Sequence, residues 1–127
     1  MTGRILHWGP AIVYAGLIFW LSSQSQPLGQ RIQADFMAHF LEYAVFAALL
    51  VWGGTSGLSK PLTLRRAVWL FLFVVLYAAS DEFHQSYVPY RDPSLHDLAA
   101  DSLGAGSALL AAYGLLPRLG RKSDQQQ

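Results

Sequence analysis

The stretch Arg65-Arg66-Ala67-Val68-Trp69-Leu70-Phe71-Leu72-Phe73-Val74-Val75-Leu76-Tyr77-Ala78-Ala79-Ser80-Asp81-Glu82 opens on two cations, closes on two carboxylates and carries no charge between them. The run is continuous rather than alternating, which favours a helix buried on all sides over a half-buried strand. Its length suits a helix that crosses a bilayer with little tilt. Three further apolar stretches can be drawn beside Leu64–Ser80: Ile5–Leu21, Phe36–Trp52 and Leu98–Leu116. The apolar fraction of 53% exceeds the usual 45–50%, and the charged fraction of 13% is about half the usual value. Four Trp and six Tyr suit a chain whose amphipathic rings sit at lipid headgroups.

These features predict an all-α integral membrane bundle of four transmembrane helices. Residues 1–122 form one domain, and 123–127 a disordered polar tail. Pro10 falls in the first turn of the first span, where a missing donor does no harm. Gly53-Gly54-Thr55-Ser56-Gly57 closes the second span, and Pro117 the fourth. No small-x-small cleavage motif follows the first apolar run, so that run reads as a retained span rather than a signal peptide.

The charges are sorted. Asp35, Glu42, Asp81, Glu82, Asp92, Asp97 and Asp101 fall at one set of span ends, with His39, His84 and His96. Arg4, Lys60, Arg65, Arg66, Arg118, Arg121 and Lys122 fall at the other, while Arg31 and Arg91 sit among the acids. Positive-inside reasoning places both termini in the cytoplasm and the acids on the extracytoplasmic face. The segment Ser86–Pro93, with Tyr87, Pro89, Tyr90 and Pro93, reads as a structured extracytoplasmic loop. No long basic run points to nucleic acid, and the absence of cysteine excludes disulfides and thiolate chemistry.

Charge close to hydrocarbon costs about 2.5–3.5 kcal/mol per residue at mid-bilayer on insertion scales, so the acidic end is a candidate site. Asp35, His39 and Glu42 share one helix face, with Tyr43 beside them. Asp97 and Asp101 share another, continued by Gly104 and Ala108; small residues there suit close helix packing within the chain. Asp81 and Gln85 pair if the third helix runs past the membrane surface. Ser94 caps the fourth helix, with Asp97 completing a capping box. Each feature also has a plain reading: Asp97 as a first-turn acid, His39 and Glu42 as a self-neutralising pair, His84, His96 and Asp92 as surface residues. Arg91 either neutralises Asp81, Glu82 or Asp101, or clamps a phosphate or carboxylate. Carboxylates with histidine suit a divalent metal, for which His39, Glu42, Asp81 and Asp101 are the candidate ligands. The same four are the candidate acid–base groups, with His39 oriented by Asp35 or Glu42.

Three stretches resemble the VanZ-like family of small membrane proteins, named for a teicoplanin-resistance protein. They are Leu21-Ser22-Ser23-Gln24; Asp35-Phe36-Met37-Ala38-His39 with Tyr43; and Asp81-Glu82-Phe83-His84-Gln85 with Pro89-Tyr90-Arg91, Asp97 and Asp101. The chain departs from that pattern at Phe36, where lysine is expected, at Tyr90, where glycine is common, and at Asp101, where asparagine is common. The resemblance implies a multi-span protein whose founding member lowers susceptibility to a lipoglycopeptide acting outside the cell; it implies no reaction.

Three functions compete. The first is recognition or remodelling of a lipid headgroup, a lipoglycopeptide or a cell-wall lipid precursor in the cell envelope. Its ligand would meet Arg91, Asp81, Glu82, Gln85 and His39, within walls of Tyr43, Tyr87 and Tyr90. The second is a metal-assisted hydrolase or transferase acting on such a headgroup. The third, an ion-coupled carrier, would need a dimer, because four short spans are few.

Overall fold

The computed structural model describes residues 2–25 and 32–123, with side chains described for 5–25 and 36–116. Four helices follow one another: α1 (Thr2–Ser22), α2 (Ile32–Gly54), α3 (Leu64–Gln85) and α4 (Leu95–Ser123). No strand occurs among the described residues. Each helix contains a stretch long and apolar enough to cross a membrane. The four expected spans are present, and the chain is a multi-pass membrane protein.

The boundaries differ from expectation in three places. α1 already starts at Thr2, so Pro10 lies in the helix interior and not in its first turn. The cost there is one helical bond that its nitrogen cannot donate. α4 does not stop at Pro117 but continues to Ser123, so the helix includes the first residue assigned to a disordered tail. Residues 124–127 lie outside the described residues. α3 extends to Gln85, five residues past the expected end of its span, which brings Asp81 and Gln85 onto one helical face.

The core is centred on α2. Tyr43, Phe46, Ala47, Leu50 and Val51 are all buried, against Val74 and Ala78 of α3 and Ala105 and Leu109 of α4. α2 and α4 pack most intimately because Gly104 has no Cβ; one there would run into the backbone carbonyl of Phe40. Close backbone approach of this kind drives helix association where lipid removes the hydrophobic incentive. The Gly104–Ala108 stripe therefore serves packing inside the chain. α1 leans mainly on α2 and barely touches α3. The Tyr77 hydroxyl bridges that gap by donating to the Ala15 carbonyl at 2.6 Å. Large apolar side chains such as Ile12, Val13, Trp69, Leu76 and Leu110 face outward, as a lipid-facing surface requires.

The segment between α3 and α4 is a chain of tight turns. Tyr87, Val88 and Arg91 donate backbone N–H groups to His84, Gln85 and Val88. Tyr90 takes a positive φ of 63°. That region favours glycine, so the tyrosine is held there against its backbone preference.

Candidate functional site

The C-terminal ends of α1 and α3 and the N-terminal parts of α2 and α4 come together at one end of the bundle. Two carboxylates at the end of α3 turn to different neighbours. Asp81 faces α1: its Oδ1 accepts the Ser22 hydroxyl at 2.6 Å and its Oδ2 accepts the Gln85 amide at 3.1 Å. Both of its oxygens are therefore engaged by neutral donors, and Asp81 ties α1 to α3. Glu82 faces α4, where its Oε2 accepts the backbone N–H of Ser94 at 3.1 Å. Ser94 in turn accepts the Asp97 N–H on its hydroxyl at 3.1 Å. The N-terminal cap expected at Ser94 is present, but a carboxylate from another helix takes the Ser94 N–H that Asp97 would take in a capping box.

His39, on α2, meets Asp101 of α4 through Nδ1 at 2.9 Å. The sequence offered Asp35 or Glu42 as the group orienting this ring; the described partner is Asp101, one helix away. The Asp35 side chain lies outside the described residues. With Asp101 as a carboxylate, which can only accept, Nδ1 is the donor in this contact.

His39, Glu82 and Asp101 each offer one ligand atom within 4.8 Å of the other two, and all three side chains are buried. Two carboxylate oxygens here, Asp101 Oδ2 and Glu82 Oε1, have no hydrogen-bond partner among the described residues. Neither has the hydroxyl of Tyr43, which is fully buried and within electrostatic range of Asp81, Asp101 and Glu42. Buried polar atoms left without partners are rare and mark strain or a ligand. The converging set differs from the one read from sequence. It keeps His39 and Asp101 and replaces Glu42 and Asp81 with Glu82. Glu42 is half-buried and stands in electrostatic range of His39, Asp81 and Asp101 without joining the set.

Arg91 stands within electrostatic range of Glu42, but its described hydrogen bonds go to α1 and the residues that follow it. Its Nε donates to the Gln24 carbonyl and its Nη2 to the Leu21 carbonyl, both at 3.2 Å. It caps the C-terminal end of α1, where carbonyls lack helical partners and the helix dipole favours a cation. No ion pair between Arg91 and Asp81, Glu82 or Asp101 occurs among the described residues. The described contacts of Arg91 are thus with backbone carbonyls rather than with a carboxylate. Of the three tyrosines expected as walls, Tyr43 is fully buried, while Tyr87 and Tyr90 are exposed. His84 meets the Ser23 hydroxyl at 3.0 Å and stacks near Phe19, while His96 is mostly exposed beside Phe36 and Asp97. Asp92 is exposed.

Ser22 and Ser23 were not among the site residues read from sequence. A hydroxyl pair at the end of an apolar run, beside a helix loaded with acids, was the available signal.

A family model described as VanZ/LLP1 matches residues 8–116. Neither a curated protein nor a solved structure matches the chain.

Proposed function

The chain belongs to the VanZ/LLP1 family, and on that premise we propose that it recognises a phosphorylated lipid headgroup, with a divalent cation held by His39, Glu82 and Asp101 at its extracytoplasmic end. One observation carries the reading: three buried ligand atoms converge within 4.8 Å beside carboxylate oxygens that have no partner. The donor set of one imidazole and two carboxylates suits Mn²⁺ or Zn²⁺. A cation also solves a charge problem. Acids alone repel a phosphate, and two of the Arg91 donors are engaged by carbonyls at the end of α1. Held by His39, Glu82 and Asp101, a divalent cation would supply the positive charge that a phosphate needs, and the acyl chains would lie along the bundle.

A role in the cell envelope follows: binding a headgroup, a lipoglycopeptide or a cell-wall lipid precursor would alter how a teicoplanin-type antibiotic reaches its target.

The same geometry favours a second reading, metal-assisted hydrolysis or transfer at that headgroup. Glu42 and Tyr43 lie within electrostatic range of Asp101 without belonging to the triad, and would serve as a proton acceptor and a donor.

The test is Mn²⁺ binding to the purified chain in neutral detergent, read by electron paramagnetic resonance, with and without a short-chain phosphatidic acid. One Mn²⁺ per chain is expected, lost in Asp101→Asn and Glu82→Gln, with a spectrum altered by the lipid. Lipid binding indifferent to metal and to both substitutions would overturn the reading. Phosphate release that depends on Glu42 would promote the enzyme.

A further inference from the structure

The opposite end of the molecule carries a cleft of a different kind. Trp8, Gly53, Gly54, Ser56, Lys60 and Arg66 line a space of about 260 Å³. Its shape depends on the glycine pair that ends α2: a Cβ on Gly53 would stand 2.6 Å from the Trp8 ring. The ring therefore packs closely against Gly53 of α2 and forms one wall. Arg66 extends its stem past Gly54, and its Nη1 donates to the Pro61 carbonyl at 3.2 Å. That bond steadies a guanidinium whose remaining donors can serve a ligand. Lys60 is exposed at the rim.

Trp8 also lines a second space, an almost wholly apolar groove of about 370 Å³. This groove exists because α1 and α3 barely touch. Phe46 and Leu50 of α2 form its floor, and Ile12, Trp69 and Phe73 stand at its sides. The basic cleft and the apolar groove thus share Trp8 as a common wall.

We propose that this end of the bundle binds one anionic phospholipid, with its phosphate between Lys60 and Arg66 and an acyl chain in the groove between α1 and α3. Charge complementarity selects the occupant. Among the described residues no acid lines the cleft, and seven of the eight acids in the sequence fall at the other span ends or in the loop between α3 and α4, so an anionic ligand would supply the charge that the described lining lacks. The adjoining groove selects an amphiphile over a free anion. Tryptophan at the junction suits the headgroup level of a bilayer, where amphipathic rings concentrate. This site is separate from the acidic one and uses none of its residues.

The experiment is native mass spectrometry of the full chain in neutral detergent with EDTA present, so that cation-dependent binding at the acidic end is suppressed. Phosphatidylglycerol, phosphatidylcholine with the same acyl chains, and inorganic phosphate are the probes. One phosphatidylglycerol per chain is expected, with neither of the other probes retained. Lys60→Gln and Arg66→Gln should each weaken it about fivefold, the effect of removing one basic residue near an anionic lipid. Ile12→Trp should block the groove and lower retention with Lys60 and Arg66 intact. Lys60 is a rim residue, so its variant reports even if Arg66→Gln fails to fold. Glu82→Gln should retain the lipid. Equal retention of the two lipids would overturn the proposal. So would affinity unchanged in Lys60→Gln, or inorganic phosphate bound as firmly as the lipid. A dimer that forms at the expense of lipid would make a second copy of the chain the occupant, and would equally overturn it. Loss of phosphatidylglycerol in Glu82→Gln would move the lipid to the acidic end.

Discussion

Glu82, in the last turn of α3, accepts the backbone N–H of Ser94, so the start of α4 is capped by a carboxylate from the helix before it. One side chain thereby both positions α4 and belongs to the set of three converging metal-ligand candidates. Folding and chemistry can be separated at this residue, because an amide retains the acceptor while losing the charge.

Glu82→Ala should lower stability by about 1.5–3 kcal/mol, the range for a hydrogen bond to a charged group. Glu82→Gln should cost less than half as much and still lose Mn²⁺. Thermal melts in detergent beside metal titrations would check both. Equal destabilisation by the two substitutions would remove the cap from the account.

Metal should stabilise the fold. A cation that binds only the folded chain adds about 2.7 kcal/mol at a hundredfold excess over its dissociation constant. The melting temperature of the wild-type chain should therefore rise with Mn²⁺ or Zn²⁺ and fall back on chelation. His39→Ala and Asp101→Ala should abolish the rise. A shift that survives in either variant would place the ion elsewhere.

The His39–Asp101 contact joins α2 to α4 inside the protein. A double-mutant cycle with His39→Ala and Asp101→Ala should give a coupling of about 1–3 kcal/mol, as for residues in one buried network. Additive single effects would mean that each side chain is held by other groups.

Gly104→Ala should destabilise by about 1–3 kcal/mol or more, because the new methyl meets the Phe40 carbonyl across the closest helix contact. Gly106→Ala is the matched control. A methyl there would meet only the Phe71 ring at an ordinary 3.6 Å, so the change should be neutral or mildly stabilising. Unfolding in mixed detergent would rank the two.

Arg91→Lys should not rescue Arg91→Ala. A single ammonium cannot reproduce a fork that reaches the Leu21 and Gln24 carbonyls together. Both variants should lose about 1–2 kcal/mol and show faster amide exchange around Ser22–Gln24, while Mn²⁺ binding persists. Loss of the metal without loss of stability would return Arg91 to the site itself.

Much of this protein could be read from the chain alone. Continuous apolar runs such as Leu64–Ser80 must become helices in a bilayer, because every backbone polar group needs a partner where no water supplies one. The sorting of acids and bases to opposite span ends followed from the order of residues along those runs. The packing role of Gly104 followed from helical spacing, since residues three and four apart share a face.

Which carboxylate meets which partner was decided only by the tertiary structure. Asp81 and Glu82 are adjacent in sequence, yet consecutive positions on a helix point about 100° apart. One therefore reaches Ser22 on α1 and the other Ser94 before α4. His39 had same-helix acids at spacings of three and four, and its described contact is Asp101, 62 residues away. Arg91 had several acids nearby in sequence and meets the carbonyls at the end of α1. Helical periodicity determines what lies on one face of one helix. The crossings of four helices determine what that face meets, and in this chain the crossings depend on a glycine at position 104 and on the small gap between α1 and α3.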